Sequence, residues 1–196
     1  MIYLKYKISN IVYKRGDNMP KVIENLRETI ILEAKNILLT HGFKDLNIRE
    51  IAKNCNIGTG TFYNYFSTKE DLVAEIFRED WKKVSNLVDE MKFTEEPLKE
   101  KIRKIYISIG LFVNSYIPIF YEMAMISGND YRCKEANRYD VLYTKISELI
   151  DIEKFKGNVV STLSSYKLAE LVVSNLMYIN KNQFISFDEL YDNLKI

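Results

Sequence analysis

Thr59, Gly60, Thr61, Tyr63, Asn64 and Tyr65 gather small, hydroxylated and amide groups within seven residues. On the outer side of a short helix, such groups suit a DNA major groove, where hydroxyls, amides and methyl contacts read base edges. Gly60 adds a point where a missing side chain lets backbone come close. Arg49 and Lys69 flank the segment. In the first turn of a following helix, the Lys69 charge and the positive helix end would act on the same phosphate. No catalytic set competes with this reading. The chain has no phosphate loop, no G-x-G-x-x-G, no Ser-His-Asp set and no metal-ligand spacing. Its single histidine, His41, and its two distant cysteines, Cys55 and Cys133, exclude multi-histidine metal chemistry, a structural zinc site and a disulfide scaffold. No enzyme activity, metal or cofactor is expected. His41 reads as a helix C-terminal residue beside Gly42, Cys55 as a small core residue, and Cys133 as a thiol with no resolving partner.

These residues need elements to hold them. Residues 46–72 read LNIREIAKNCNIGTGTFYNYFSTKEDL. Asn47-x-x-Glu50 is a capping-box pattern, with Leu46 and Ile51 placed as a hydrophobic staple. Ile48, Ile51, Ala52 and Cys55 share the inner face of a two-turn helix, and the small Ala52 allows a close crossing. Asn56 sits where the turn needs left-handed backbone, which Asn tolerates better than other non-glycine residues. Ile57, Phe62 and Phe66 point back to the core, under a short helix over 59–65. Ahead of the motif, Ile23, Leu26, Ile30, Ala34, Ile37 and Leu38 form one apolar helical face. Gly42 ends that helix and Phe43 closes the contact behind it. Ser67-x-x-Glu70 predicts the cap of a long helix from Thr68 towards Met91. Four helices thus fill 21–91.

The stretch from about Glu24 to Val84 resembles the DNA-binding domain of the TetR family of bacterial transcriptional regulators. The sharpest part is Gly60-Thr61-Phe62-Tyr63-Asn64-Tyr65-Phe66-Ser67-Thr68-Lys69-Glu70-Asp71-Leu72. Two residues depart from the family pattern: Asn56 stands where glycine is usual, and Tyr65 where histidine is usual. The second bears on operator preference. The resemblance implies DNA roles for Arg49, Thr59, Gly60, Thr61, Tyr63, Asn64, Tyr65 and Lys69. It also implies a homodimer on a palindromic operator of double-stranded DNA, released when a small-molecule effector binds the C-terminal part. A helical ligand- or protein-binding module without a DNA role is the alternative, and the intact Tyr63 and Lys69 argue against it. The long helix from Lys69 is the natural lever between the two functions, with Trp81 on it as a reporter.

The remaining chain also reads as helices: 98–116, a short one from Pro118 to near Gly128, 130–152, 164–179 and a last one over 187–194. No alternating strand pattern appears, so the class is all-α: a three-helix helix-turn-helix domain joined by a long helix to a helical effector and dimerisation domain. The expected divisions are 1–18, 19–84 (motif about 47–66) and 85–196. Phe112, Tyr116, Phe120, Tyr121, Met125, Tyr139, Tyr143 and Tyr166 suit an adaptable apolar pocket, though each also fits plain helix core. Glu122 stands in an apolar run, either facing solvent or as a buried carboxylate for a cationic ligand. Leu168, Leu171, Val172, Asn175, Leu176, Ile179, Leu190 and Tyr191 form faces that would pair across a two-fold axis.

Composition sets the outer bounds. Over 196 residues the chain is 47% hydrophobic with a net charge of +1, so it can bury a core but has no basic coat. Residues 1–18 carry Lys5, Lys7, Lys14 and Arg15 against Asp17, and no signal-peptide pattern. They read either as a basic arm or as a translated leader, since Lys14 to Met19 back-translates to a ribosome-binding site ahead of a start codon. No apolar stretch looks long enough to span a bilayer, and a cytoplasmic location is expected.

Overall fold

Every regular element among the described residues, 25–127 and 138–194 of a computed structural model, is a helix. The possible leader, Met19 and Cys133 lie outside them. The order is α1 Leu26–Asp45, α2 Ile48–Asn54, α3 Thr59–Tyr63, α4 Lys69–Met91, α5 Leu98–Ser127, α6 Arg138–Phe155, α7 Ser165–Asn182 and α8 Phe187–Leu194. Local signals set most ends. Gly42 takes φ 85° and ψ 179°, which breaks α1 where the sequence places its end. Asn56 takes φ 56°, the left-handed conformation its turn requires. The Asn47 side chain caps α2 by accepting from Arg49 N at 2.8 Å. Leu46 and Ile51 are both buried, as a staple demands.

Several expected boundaries move, among them the ends of α6 and α7, which run on to Phe155 and Asn182. The cap of α4 is Thr68 rather than Ser67: its Oγ1 accepts from Asp71 N at 3.0 Å, so the helix starts at Lys69. The short helix ends at Tyr63, leaving Asn64 and Tyr65 in the turn that follows. The largest change is α5, which runs unbroken through Pro118. Proline removes one i→i−4 hydrogen bond. Tyr116, Ile119 and Met123, buried on both sides of it, hold the helix together regardless. Fused, the segment over 98–126 is long and apolar enough to cross a membrane by length and composition, against the expectation that no stretch would be. Its inner side, with Ile102, Ile105, Ile109, Val113, Tyr116, Ile119 and Met123, is spent on cores inside the protein, while Ile107, Leu111, Met125 and Ile126 stay exposed.

Among the described residues there are two such cores, and α4 and α5 enter both. The first packs α1, α2 and α3 (Ile30, Leu38, Phe43, Ile51 and Phe62) against Leu72, Ile76 and Phe77 of α4 and Tyr116, Ile119 and Met123 of α5. The second packs Trp81, Val84 and Val88 of α4 and Ile102, Ile105 and Ile109 of α5 against α6, α7 and α8. The expected division at 84/85 falls within α4, and the second half of α5 is core to the N-terminal unit. The second core also encloses an ion pair: Lys101 Nζ lies 2.9 Å from Glu153 Oε1, with both side chains out of solvent. Burial works to raise the Glu153 pKa, but Lys101 and Asn158 outweigh it and hold the carboxyl below its usual range.

Candidate nucleic-acid interface

The five residues of α3 are too few to be stable alone, and anchoring from below makes the helix. Phe62 is fully buried, edge-on to Tyr63 at 5.6 Å and tilted against Phe66 at 5.9 Å. With Phe62 pinned inward, the other side of α3 must face out. Thr59, Gly60, Tyr63, Asn64 and Tyr65 are exposed, and Thr61 is half-buried. Tyr63 keeps 52% of its surface although it is a large aromatic, so its ring and hydroxyl are offered outward. A Cβ added at Gly60 would meet nothing within 4 Å, so packing does not demand glycine there.

Beside α3 runs an open cleft of about 630 Å3 lined by Lys44, Asp45, Leu46, Asn47, Ile48, Arg49, Thr59, Tyr63 and Lys69. Four of the eight expected DNA residues meet there: Arg49, Thr59, Tyr63 and Lys69. Gly60, Thr61, Asn64 and Tyr65 continue the same surface along α3 and its following turn. Lys69 is the first residue of α4. Its Nζ lies 4.1 Å from the centroid of the Phe43 ring, so the ammonium stands on an aromatic face. Burial pushes its pKa down, against the pull of Glu70, Asp45 and Glu122. Lys44, outside the expected set, lines the cleft too and adds a third cation beside Arg49 and Lys69, from the end of α1. The sequence signal was a lysine directly behind Gly42-Phe43.

The expected effector residues do not gather in the same way. Tyr116 is buried in the first core, where its hydroxyl donates to Asp80 Oδ2. Asp80 also accepts from Lys35 at 2.6 Å and Lys83 at 2.8 Å. Burial acts to raise the Asp80 pKa, and these partners together bring it below the usual range. Phe120 tilts against Phe77, and Phe112 packs on both cores with its ring 4.9 Å from Trp81. Tyr143 meets Tyr166 edge-on at 6.1 Å. Tyr121 and Met125 point to solvent. The side chain of Tyr139 lies outside the described residues. Glu122 is half-buried, and its Oε2 accepts from Phe43 N at 2.6 Å and Lys44 N at 3.3 Å.

The expected dimer face needs correction. Leu168, Val172, Leu176 and Ile179 are buried against α5 and α6, and Leu190 of α8 against α5 and α7, all within the same chain, so they have no surface left for a partner. A stripe of apolar residues reads the same whether its cover is internal or external. Leu171 stays exposed, and Asn175 and Tyr191 are half-buried.

A short anchored helix behind a left-handed turn, with its outer side free and a cation at the next helix start, defines a helix-turn-helix protein. Residues 30–76 match the family model described as bacterial regulatory proteins, tetR family. An uncharacterised HTH-type transcriptional regulator of Bacillus subtilis, YhgD, is 34% identical over 104 residues, 51% of this chain and 54% of that protein. The chain thus spans about half the length of that relative. The HTH-type transcriptional regulator QacR of Staphylococcus aureus is 22% identical over 80% of this chain and 94% of its own length. Among solved structures, GusR of Salmonella enterica superposes with a TM-score of 0.67 at 18% identity, covering 89% of this chain and 97% of that one. Residues 30–76 thus carry a domain of the tetR family of bacterial regulatory proteins.

Proposed function

We propose that the protein is a ligand-responsive transcriptional repressor that binds a palindromic operator in double-stranded DNA as a homodimer and leaves it when a small molecule binds the C-terminal helices. The observation that carries this is the outward face of α3, with Lys69 and Arg49 beside it. Thr61 and Asn64 are assigned to base edges, and Tyr63, Lys69 and Lys44 to phosphates. Such a protein works on the chromosome, in the cytoplasm. Dimerisation is assigned to the stripe of α7 that its own core leaves outside: Leu171, Asn175 and Tyr178, continued by Phe184, which meets Tyr178 edge-on at 5.4 Å. Effector binding is assigned to the C-terminal part about Phe112 and Tyr143. It must favour a form that DNA disfavours, and DNA must weaken it by the same factor.

The test is fluorescence anisotropy with a duplex covering the region upstream of the protein's own gene, against a scrambled duplex. The reading expects a Kd of about 10⁻⁸ M or tighter at physiological salt and a preference of about 10³-fold or more. Equal affinity for both duplexes contradicts it.

A further inference from the structure

The carboxylate of Glu122 lies in an electrostatically unfavourable place for a protein whose adjacent surface is to meet phosphates. It comes from the second half of α5 and reaches the end of α1 beyond its break at Gly42, where the chain turns towards α2, to accept from the amides of Phe43 and Lys44. The approach is possible because residue 42 is glycine. A Cβ there would lie 2.7 Å from both Glu122 oxygens. Gly42 therefore meets two demands at once, the left-handed φ that ends α1 and the space through which α5 reaches in. The two amides grasped are those of residues that shape the cleft. Phe43 is the ring on which Lys69 rests, and Lys44 lines the cleft itself. Six residues earlier on α5, Tyr116 donates to Asp80, which also holds Lys35 of α1. Buried Ile119 lies between the two contacts, and buried Met123 directly follows the second. The second half of α5 is thus fastened to the helix-turn-helix at both ends.

We infer that Glu122 is a positioning residue of the DNA interface: its carboxylate sets the α1–α2 turn and, through Phe43, the stance of Lys69, so that the DNA-reading surface is complete only while α5 is in this place. The inference rests on the DNA-binding reading above and supplies its regulation. The first half of α5, through Ile102, Ile105 and Ile109, builds the core to which effector binding is assigned. A shift of α5 of about 1 Å takes a 2.6 Å hydrogen bond beyond its useful range, so displacement in one core is felt at the phosphates without any change in the residues that touch them.

The sign of the mutant effect separates this from simple electrostatics. Removing a negative charge near Lys69 should tighten DNA binding if Glu122 acts only through its field. If it positions the turn, Glu122→Ala should weaken binding to the upstream duplex about tenfold, the worth of a charge-assisted hydrogen bond. Glu122→Gln, which keeps an acceptor at the same reach without the charge, should restore most of it, and Glu122→Asp, which keeps the charge but falls short, should not. Amide hydrogen exchange supplies the second readout. Glu122→Ala should free the Phe43 amide while the Ile51 amide of α2 stays protected. Binding as tight as wild type in Glu122→Asp or Glu122→Ala overturns the inference. So does loss of Phe43 and Ile51 protection together, which marks a merely structural role. If the unmutated chain binds no duplex, the DNA reading itself fails, and Phe43 exchange tells that failure apart from failure of the contact.

Discussion

The two cores put their hydrophobic residues to different ends. The N-terminal core is built to leave something outside: it anchors Phe62 and Phe66 so that a five-residue helix and the turn behind it present Tyr63 and Asn64 to solvent. The C-terminal core is built to enclose, and it even takes in an ion pair, Lys101 with Glu153. The same contrast shows at two glycines. Gly60 has open space where a Cβ would stand, whereas at Gly110 a Cβ would run into the Asn180 side chain, which donates to Tyr106 O at 3.1 Å and Leu176 O at 3.0 Å. One glycine is free for a partner and the other is required by packing. Function is exposed in the first unit and depends on internal fit in the second.

The contrast is sharpest at the buried pair. Lys101→Ala should cost about 3–5 kcal/mol in urea unfolding, because it strands a buried carboxylate. The pH dependence has a definite sign. Glu153 has its pKa lowered in the fold, so the pair's contribution is present above the unfolded carboxyl value of about 4.3. It is lost as pH falls through the lower folded value, and Lys101→Ala should flatten that acid limb. Next, Leu171→Glu with Tyr178→Glu should give monomers in sedimentation and weaken operator binding about 100-fold, with protomer stability nearly unchanged because both residues are exposed. Dimers that persist would move the interface elsewhere.

The glycines give a smaller and opposed pair. Gly110→Ala should cost about 1–3 kcal/mol by overpacking against Asn180 and leave the DNA face alone. Gly60→Ala should keep or raise stability, by up to about 1 kcal/mol, yet weaken operator binding if backbone approaches the groove there. A Gly60→Ala protein that binds unchanged removes that part of the reading. Smallest is a spectroscopic change. Trp81, buried on α4 and edge-on to Phe112, should change its emission when a compound releases the operator. Release with a silent Trp81 but a changed second probe argues against α4 as the lever.

What could be read from residues alone follows the same divide. Gly42, Asn56 and the Asn47 cap were legible because a turn or cap is decided within about four residues. The α4 cap slipped by one since Ser67 and Thr68 both have an acid three residues on, Glu70 and Asp71. Pro118 marked a break by local rules, and burial of Tyr116, Ile119 and Met123 overrode it. The α7 face was correctly seen as apolar but assigned the wrong cover. The Glu122 contact joins residues 79 apart in the chain. No periodicity carries that information, although an acid in an apolar run was visible as an oddity.

The central claim, that Lys69 and the α3 face meet DNA, is tested most directly by the salt dependence of binding to the upstream duplex, for the wild type and for Lys69→Ala. Lys69→Ala should bind more weakly, with a slope of log K against log salt shallower by about 0.9, one phosphate's worth of released counterion. A variant with unchanged affinity and unchanged slope would contradict it.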